Sequence, residues 1–157
     1  MVYVIRGKIN EGKTNKILSI YNQNKTGDGF ITEKIFKEGL PVGYKLVRLS
    51  SLASIPFIYE SGHEPSGWNV SLKYKKYSFS KEALLLAESI IDEIISNRID
   101  PVFIDEIGPV ELEGWGLYEA FKKSLGTGRN IYVTVRESCV HDVLQLFKID
   151  RYEIIQL

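Results

Sequence analysis

Cysteine is all but missing from this 157-residue chain. Cys139 stands alone, which excludes an internal disulfide and leaves no Cys-based metal site. The two histidines, His63 and His141, are not spaced as metal ligands with any acid and read as ordinary. Net charge is also missing: 20 basic residues balance 20 acidic ones, so the chain lacks the positive excess a nucleic-acid binder needs to displace counterions. The cluster Lys73, Lys75, Lys76 and Lys81 reads as a solvated face. No apolar run is long enough to span a bilayer, and the one after Met1 breaks at Arg6. There is no heptad, internal repeat or low-complexity tract. The expectation is a monomeric cytoplasmic protein of one domain, residues 1–157, with no membrane or nucleic-acid partner.

What the chain does have begins at its seventh residue. Gly7-Lys8-Ile9-Asn10-Glu11-Gly12-Lys13-Thr14 is a G-x-x-x-x-G-K-T string. It follows an apolar run (Val2–Ile5) that reads as a strand and precedes an amphipathic stretch from Lys13 to about Asn22 that reads as a helix. A phosphate-binding P-loop needs that context. Glycines let the backbone curl so that its N–H groups face a phosphate chain, and the helix N-terminus and Lys13 add positive charge. Thr14 is placed to put its hydroxyl on a magnesium ion. The nucleotide-binding set is therefore Gly7, Lys8, Ile9, Asn10, Glu11, Gly12, Lys13, Thr14 and Asn15.

Beyond the loop, strands and helices alternate in the manner of a parallel sheet covered by helices. Lys81–Asn97 carries Ala83, Leu84, Ala87, Ile90, Ile91, Ile94 and Ile95 at helical spacing, with Ser80 as N-cap. Val102–Ile104 and Ile131–Val135 read as buried strands. Gly114–Leu125 and Val140–Phe147 read as helices, and Tyr152–Ile155 as a last strand. Residues 28 to 79 break the alternation. Asp28–Lys37 and Val42–Ser50 form a predicted antiparallel hairpin turning at Glu38–Pro41, extended by Ile55–Tyr59 and Tyr74–Phe79, with a loop over Gly62–Asn69.

The strand Val102–Ile104 ends in two adjacent acids, Asp105 and Glu106. Parallel strands present ligand sites at their carboxyl ends, which places Asp105 beside the P-loop as a second magnesium ligand. Glu106 then orients or deprotonates the attacking water. Arg136, following the strand Ile131–Val135, reaches the γ-phosphate or pairs with Glu137 or Glu33. Catalytic candidates are thus Glu106, Lys13 and Arg136, and metal ligands Thr14 and Asp105. Glu111 reads as orienting the site or, more in keeping with its position, capping the helix that starts near Gly114. Glu33 reads as an acid supporting the site, and Trp68 and Trp115 as packing residues rather than base-stacking ones.

Asp105-Glu106-Ile107-Gly108-Pro109-Val110-Glu111-Leu112 resembles the D-E-[IL]-G-[KP]-M-E-L signature of the cancer-related nucleoside-triphosphatases, small enzymes first associated with thermophiles. Gly29-Phe30-Ile31-Thr32-Glu33 and Gly43-Tyr44-Lys45-Leu46-Val47 are similar to that family's hairpin, and Tyr77-Ser78-Phe79 and Val133-Thr134-Val135-Arg136 to its later blocks. The resemblance implies a P-loop NTPase fold: α/β, a RecA-like three-layer sandwich with a mostly parallel sheet and an antiparallel β-hairpin insert over about residues 28–79. It also implies Mg2+-dependent, slow hydrolysis of ATP, GTP and other nucleoside triphosphates. The chain departs from the family loop G-x-x-G-x-G-K-T-T at Asn10, Glu11 and Asn15, and Phe36 replaces an arginine of the hairpin. Asn tolerates the left-handed turn. A carboxylate at Glu11 repels a triphosphate unless it points away, at a cost on the order of 1 kcal/mol at 4 Å in water.

Three functions follow for comparison. The first is a magnesium-dependent nucleoside triphosphatase of broad base tolerance. The second is a nucleotide-binding module that has lost turnover. The third is a small-molecule kinase, which needs an acceptor pocket and usually has a mobile, arginine-rich lid; no lid segment is visible in the sequence, which counts against it.

Overall fold

The computed structural model describes residues 1–157, with the side chain of Asn24 outside the description. Nine strands form one sheet: β1 (Val2–Gly7), β2 (Asp28–Lys37), β3 (Leu40–Arg48), β4 (Ser54–Glu60), β5 (Val70–Tyr74), β6 (Tyr77–Ser80), β7 (Val102–Ile107), β8 (Ile131–Arg136) and β9 (Tyr152–Gln156). The helices are α1 (Lys13–Asn24), α2 (Lys81–Ser96), the single turn α3 (Pro109–Leu112), α4 (Tyr118–Leu125) and α5 (Val140–Leu146). The strand order is β5-β6-β4-β3-β2-β7-β8-β1-β9.

The sheet is mixed. From β2 to β9 every neighbouring pair is parallel, and from β2 outward to β5 every pair is antiparallel. The hairpin expected as an insert is continuous with the parallel strands, because β2 pairs with β7 on one side and β3 on the other. At that seam Gly29 lies so close to β7 that a Cβ would stand 1.9 Å from the Phe103 carbonyl oxygen.

Helices cover both faces, giving three layers. On one face Ile17 of α1 packs with Ile5, Ile31, Val47, Leu49 and Phe103. On the other, α2, α4 and α5 bury Ala87, Ile91, Phe121 and Val143 against Val4, Phe30, Phe57, Ile104 and Val133. This division follows the two-residue alternation of the strands: Phe103 goes to one face and Ile104 to the other. Ser80 caps α2, accepting the Ala83 N–H at 3.2 Å. Leu84 is half-buried against the core, while Ile95 at the helix end is 37% exposed.

Several boundaries differ from expectation. The β2–β3 turn is only Glu38-Gly39, at φ 52° and 78°, the positive pair a tight two-residue hairpin requires. The run Tyr74–Phe79 is two strands, since Lys75 and Lys76 make a turn with Lys75 at φ 52°. No glycine or asparagine marks that turn. The helix expected from Gly114 starts only at Tyr118, because Gly114 and Gly116 take φ 83° and 60°. No helix among the described residues is long and apolar enough to cross a membrane.

Candidate active site

β1 ends in Gly7, and the chain turns through Lys8–Gly12 into α1. Two residues make the turn: Asn10 at φ 60° and Gly12 at φ 93°. Asn10 therefore adopts the left-handed conformation for which asparagine was expected to substitute for glycine. No side chain caps α1, so its first N–H groups remain directed at the loop. Lys13 is buried, at 7% exposure, and its Nζ donates to the Lys8 carbonyl at 2.6 Å. The lysine that would meet a phosphate chain is thus already folded over the loop.

The Glu11 side chain turns back on its own loop. Its carboxylate accepts the Lys8 N–H at 2.5 Å while the residue stays exposed, which closes the first turn of the loop. Asn15 is exposed on the first turn of α1.

Asp105 is fully buried at the end of β7. Its Oδ2 accepts from the Thr14 hydroxyl at 2.7 Å and the Thr32 N–H at 3.1 Å, and Oδ1 accepts from the Thr134 hydroxyl at 2.6 Å. A carboxylate this deep is tolerable only with such partners, because one left unpaired costs several kcal/mol. Thr32 and Thr134 were missed as site residues. Their signal is a polar residue inside an otherwise buried strand. Thr14 and Asp105 offer a hydroxyl and a carboxylate side by side, a donor pair suited to Mg2+, which takes its other ligands from phosphate and water. No cluster of three or more His, Cys, Asp or Glu able to hold a metal occurs among the described residues.

Glu106 owes its place to a bulge. Along β7 the register with β8 runs from Ile104 opposite Val133 to Ile107 opposite Val135, so β7 carries one extra residue. Glu106 takes φ 71° there, uncommon for a non-glycine residue, and its N–H donates to the Thr134 hydroxyl at 2.8 Å. Bulges beside active sites turn a side chain in a direction regular pleating forbids. Asp105 points into the threonine cluster while Glu106 faces the open cleft. Desolvation by the cleft walls, then the adjoining Asp105 charge, push the Glu106 carboxyl up to about 6 against the pull of Lys13, Arg136 and Lys34. A carboxyl in that range is matched to accepting a proton near neutral pH.

Arg136 faces the same cleft. The two acids considered as alternative partners are engaged elsewhere: Glu137 lies 4.0 Å from Arg6, and Glu33 pairs with Lys45 at 3.2 Å on the exposed hairpin. Glu33 is thus not drawn into the site. Its neighbour Lys34 is, donating from Nζ to Asn10 Oδ1 at 3.0 Å, a contact for which the sequence carried no pattern.

Glu111 is buried and accepts the Gly108 and Leu117 N–H groups, each at 2.9 Å. It staples the segment after β7, in keeping with a structural role. Burial pushes its carboxyl up to about 7 despite those bonds. Trp68 donates to the Ser78 hydroxyl at 3.0 Å and Trp115 is 59% exposed. A cavity of about 300 Å3 opens beside Glu106, walled by Ile9, Thr32, Tyr44, Phe57, Tyr77 and Leu117 among others.

A family model described as NTPase matches residues 2–157. The chain is similar to the nucleoside-triphosphatase THEP1 of Archaeoglobus fulgidus, 28% identical over 155 residues, spanning 95% of this chain and 87% of that protein. It is also similar to the nucleoside-triphosphatase THEP1 of a Thermotoga species, 25% identical over 88% of this chain and 75% of that one. In fold it matches the crystal structure of THEP1 from the hyperthermophile Aquifex aeolicus, with a TM-score of 0.74 at 20% identity, covering 100% of this chain and 90% of that one. The solution structure of a human cancer-related nucleoside triphosphatase gives a TM-score of 0.67 at 20% identity, covering 99% and 87%.

Proposed function

The chain belongs to the NTPase family, and we propose that it is a magnesium-dependent hydrolase of nucleoside 5'-triphosphates, ATP and GTP among them, broad in base preference. The observation that carries this reading is a convergence. Thr14 from α1 and Asp105 from β7 meet at 2.7 Å, and Lys13 and Glu106 stand beside them. In this reading the backbone from Gly7 to Asn15 wraps the phosphate chain, and Lys13 neutralises the β- and γ-oxygens. Thr14 and Asp105 hold Mg2+, which when bound offsets charge on the phosphates. Glu106 accepts the proton of the attacking water, and Arg136 stabilises charge on the transferring group. The relatives this chain resembles are nucleoside-triphosphatases, which supports the reaction class. In this reading the chain is a monomer that acts on free nucleotides in the cytoplasm.

Glu11 and Asn10 favoured a loop without turnover when read in the sequence. With Asn15, these departures are what favours the binding module; for turnover speak the left-handed turn that Asn10 takes and the Glu11 carboxylate's bond to its own loop. The test is phosphate release from ATP and from GTP with Mg2+, wild type against Glu106→Gln. A fall of about two orders of magnitude in the variant is expected for loss of a general base. No release from wild type at nucleotide concentrations that bind would overturn hydrolysis and leave the binding module.

A further inference from the structure

The cavity beside Glu106 is larger than hydrolysis requires. A water occupies about 30 Å3 of liquid volume. The cavity holds about 300 Å3, the lower end of the range for small-molecule sites. It begins at the phosphate loop, where Ile9, Thr32, Glu106 and Arg136 line it. From there it crosses the antiparallel half of the sheet along Tyr44, Phe57 and Ile58 to the β5–β6 turn, where Tyr74, Lys75 and Tyr77 close it. Tyr44 stands between the two ends. Desolvation, then the neighbouring Tyr77 and Glu106, raise its phenol, so these groups share one enclosure.

The walls state what fits. Five of the lining side chains are aromatic and six aliphatic, and a planar ligand packs well between such surfaces. Glu106 supplies a proton acceptor at the inner end. At the outer end Lys75, 5.6 Å from the Tyr74 ring centroid, supplies a cation, while its neighbour Lys76 is paired with Glu60 at 3.1 Å. Lys75 belongs to the basic cluster that the sequence presents as a solvated face.

We propose that this cavity is an acceptor site, and that the chain transfers the γ-phosphoryl group of a nucleoside triphosphate to the hydroxyl of a small aromatic alcohol bearing an anionic group at its far end. The acceptor oxygen forms a bond to the γ-phosphorus and the bond from that phosphorus to the β,γ-bridging oxygen breaks. The hydroxyl proton passes to Glu106, and the nucleoside diphosphate leaves with the bond's electron pair. The acceptor takes the place of the attacking water, so the proposal rests on the triphosphatase reading.

The experiment uses the full chain with Mg2+ and ATP labelled at the γ-phosphorus. The probe is 6-(hydroxymethyl)-2-naphthoate, with 2-naphthylmethanol as the uncharged comparison. Phosphate ester and free phosphate are separated and counted, and naphthalene fluorescence anisotropy reports binding. Saturable ester formation is expected, greater for the carboxylate-bearing alcohol. Ile58→Trp fills the cavity and Tyr77→Ala removes a wall. Each is expected to lower the ratio of ester to phosphate at least tenfold, and Lys75→Met to abolish the preference for the charged alcohol. Free phosphate with no ester and no saturable anisotropy overturns the acceptor site and leaves hydrolysis standing. Ester that neither cavity substitution affects also overturns it. Neither ester nor phosphate overturns both readings, and ester without phosphate supports transfer against hydrolysis.

Discussion

The two halves of the sheet use their polar residues differently. In the parallel half, Asp105 is fully buried and held by three threonines from three elements. In the antiparallel half, the ion pairs Glu33–Lys45 and Glu60–Lys76 lie on exposed or partly exposed surface. The buried acid Asp28, at the seam, is neutralised by the Arg48 guanidinium at 2.8 Å rather than held by hydroxyls alone. Buried groups with several partners cannot swing, and they hold a catalytic geometry. Exposed pairs contribute little to stability and leave their half free to shape a cavity wall. The lesson is a division of labour within one continuous sheet: the proposed phosphate site on one side of β2, and the aromatic wall of the cavity on the other.

The sharpest break of that division is Lys13→Ala. Removing the buried cation from the phosphate loop is expected to lower kcat/KM for ATP at least a thousandfold, about 4 kcal/mol of transition-state stabilisation. Circular dichroism should stay unchanged, because the Lys8 carbonyl that accepts from Lys13 belongs to an exposed residue and water can replace the lysine. A loss below tenfold would place the phosphate chemistry elsewhere.

Gly29→Ala attacks the seam between the halves. The new methyl would stand 1.9 Å from the Phe103 carbonyl, a backbone atom that cannot move aside without parting β2 from β7. A loss of about 4 kcal/mol in urea denaturation is expected, at the severe end for single substitutions. If the two halves were independently stable, the transition would instead split in two.

Much of the parallel half was legible because its signals are local. A glycine-rich string between a strand and a helix, and an apolar run ending in two acids, each state their chemistry in a few residues. What escaped depends on register. Nothing in Val102–Ile107 announces that β7 gains a residue and turns Glu106 away from Asp105. Lys34 reaches Asn10 although β7 and β8 stand between β2 and β1, a fact of strand order and of how the loop folds over the sheet's end. The antiparallel half hid its cavity for a related reason: Tyr44, Phe57 and Tyr77 come from three strands, and only their pairing brings them together. The Lys75-Lys76 turn was hidden by composition, since lysine is an ordinary strand-surface residue.

Glu111 gives the next effect, read through pH. Burial raises its folded carboxyl to about 7 from the ordinary 4.5, so between those limits the folded chain holds a proton that the unfolded chain has lost. Stability from this group is therefore full below about pH 4.5 and falls as pH rises through 7. At about 1.4 kcal/mol per tenfold change in proton affinity, the loss approaches 3 kcal/mol. Urea denaturation at pH 5 and pH 8 should show it, and Glu111→Gln should flatten the difference. A wild type that gains stability over this range would contradict the assignment.

The smallest effects come from two adjacent residues of β2, where the halves meet. Successive side chains on a strand point to opposite faces, so Glu33 and Lys34 report on different surroundings although they touch along the chain. Glu33 faces Lys45 directly across the hairpin, at 46% and 40% side-chain exposure. A pair so exposed contributes less than about 1 kcal/mol. Lys34 faces the loop, bonded to the asparagine that makes its left-handed turn. Lys34→Gln should weaken apparent ATP affinity about fivefold, and the loss should shrink at high salt, because the contribution is an exposed charge near phosphate. Glu33→Gln should leave both hydrolysis and affinity within twofold of wild type. Equal effects from the two would mean that the hairpin acts on the loop through its overall position, whereas the expected asymmetry assigns the influence to one face of one strand.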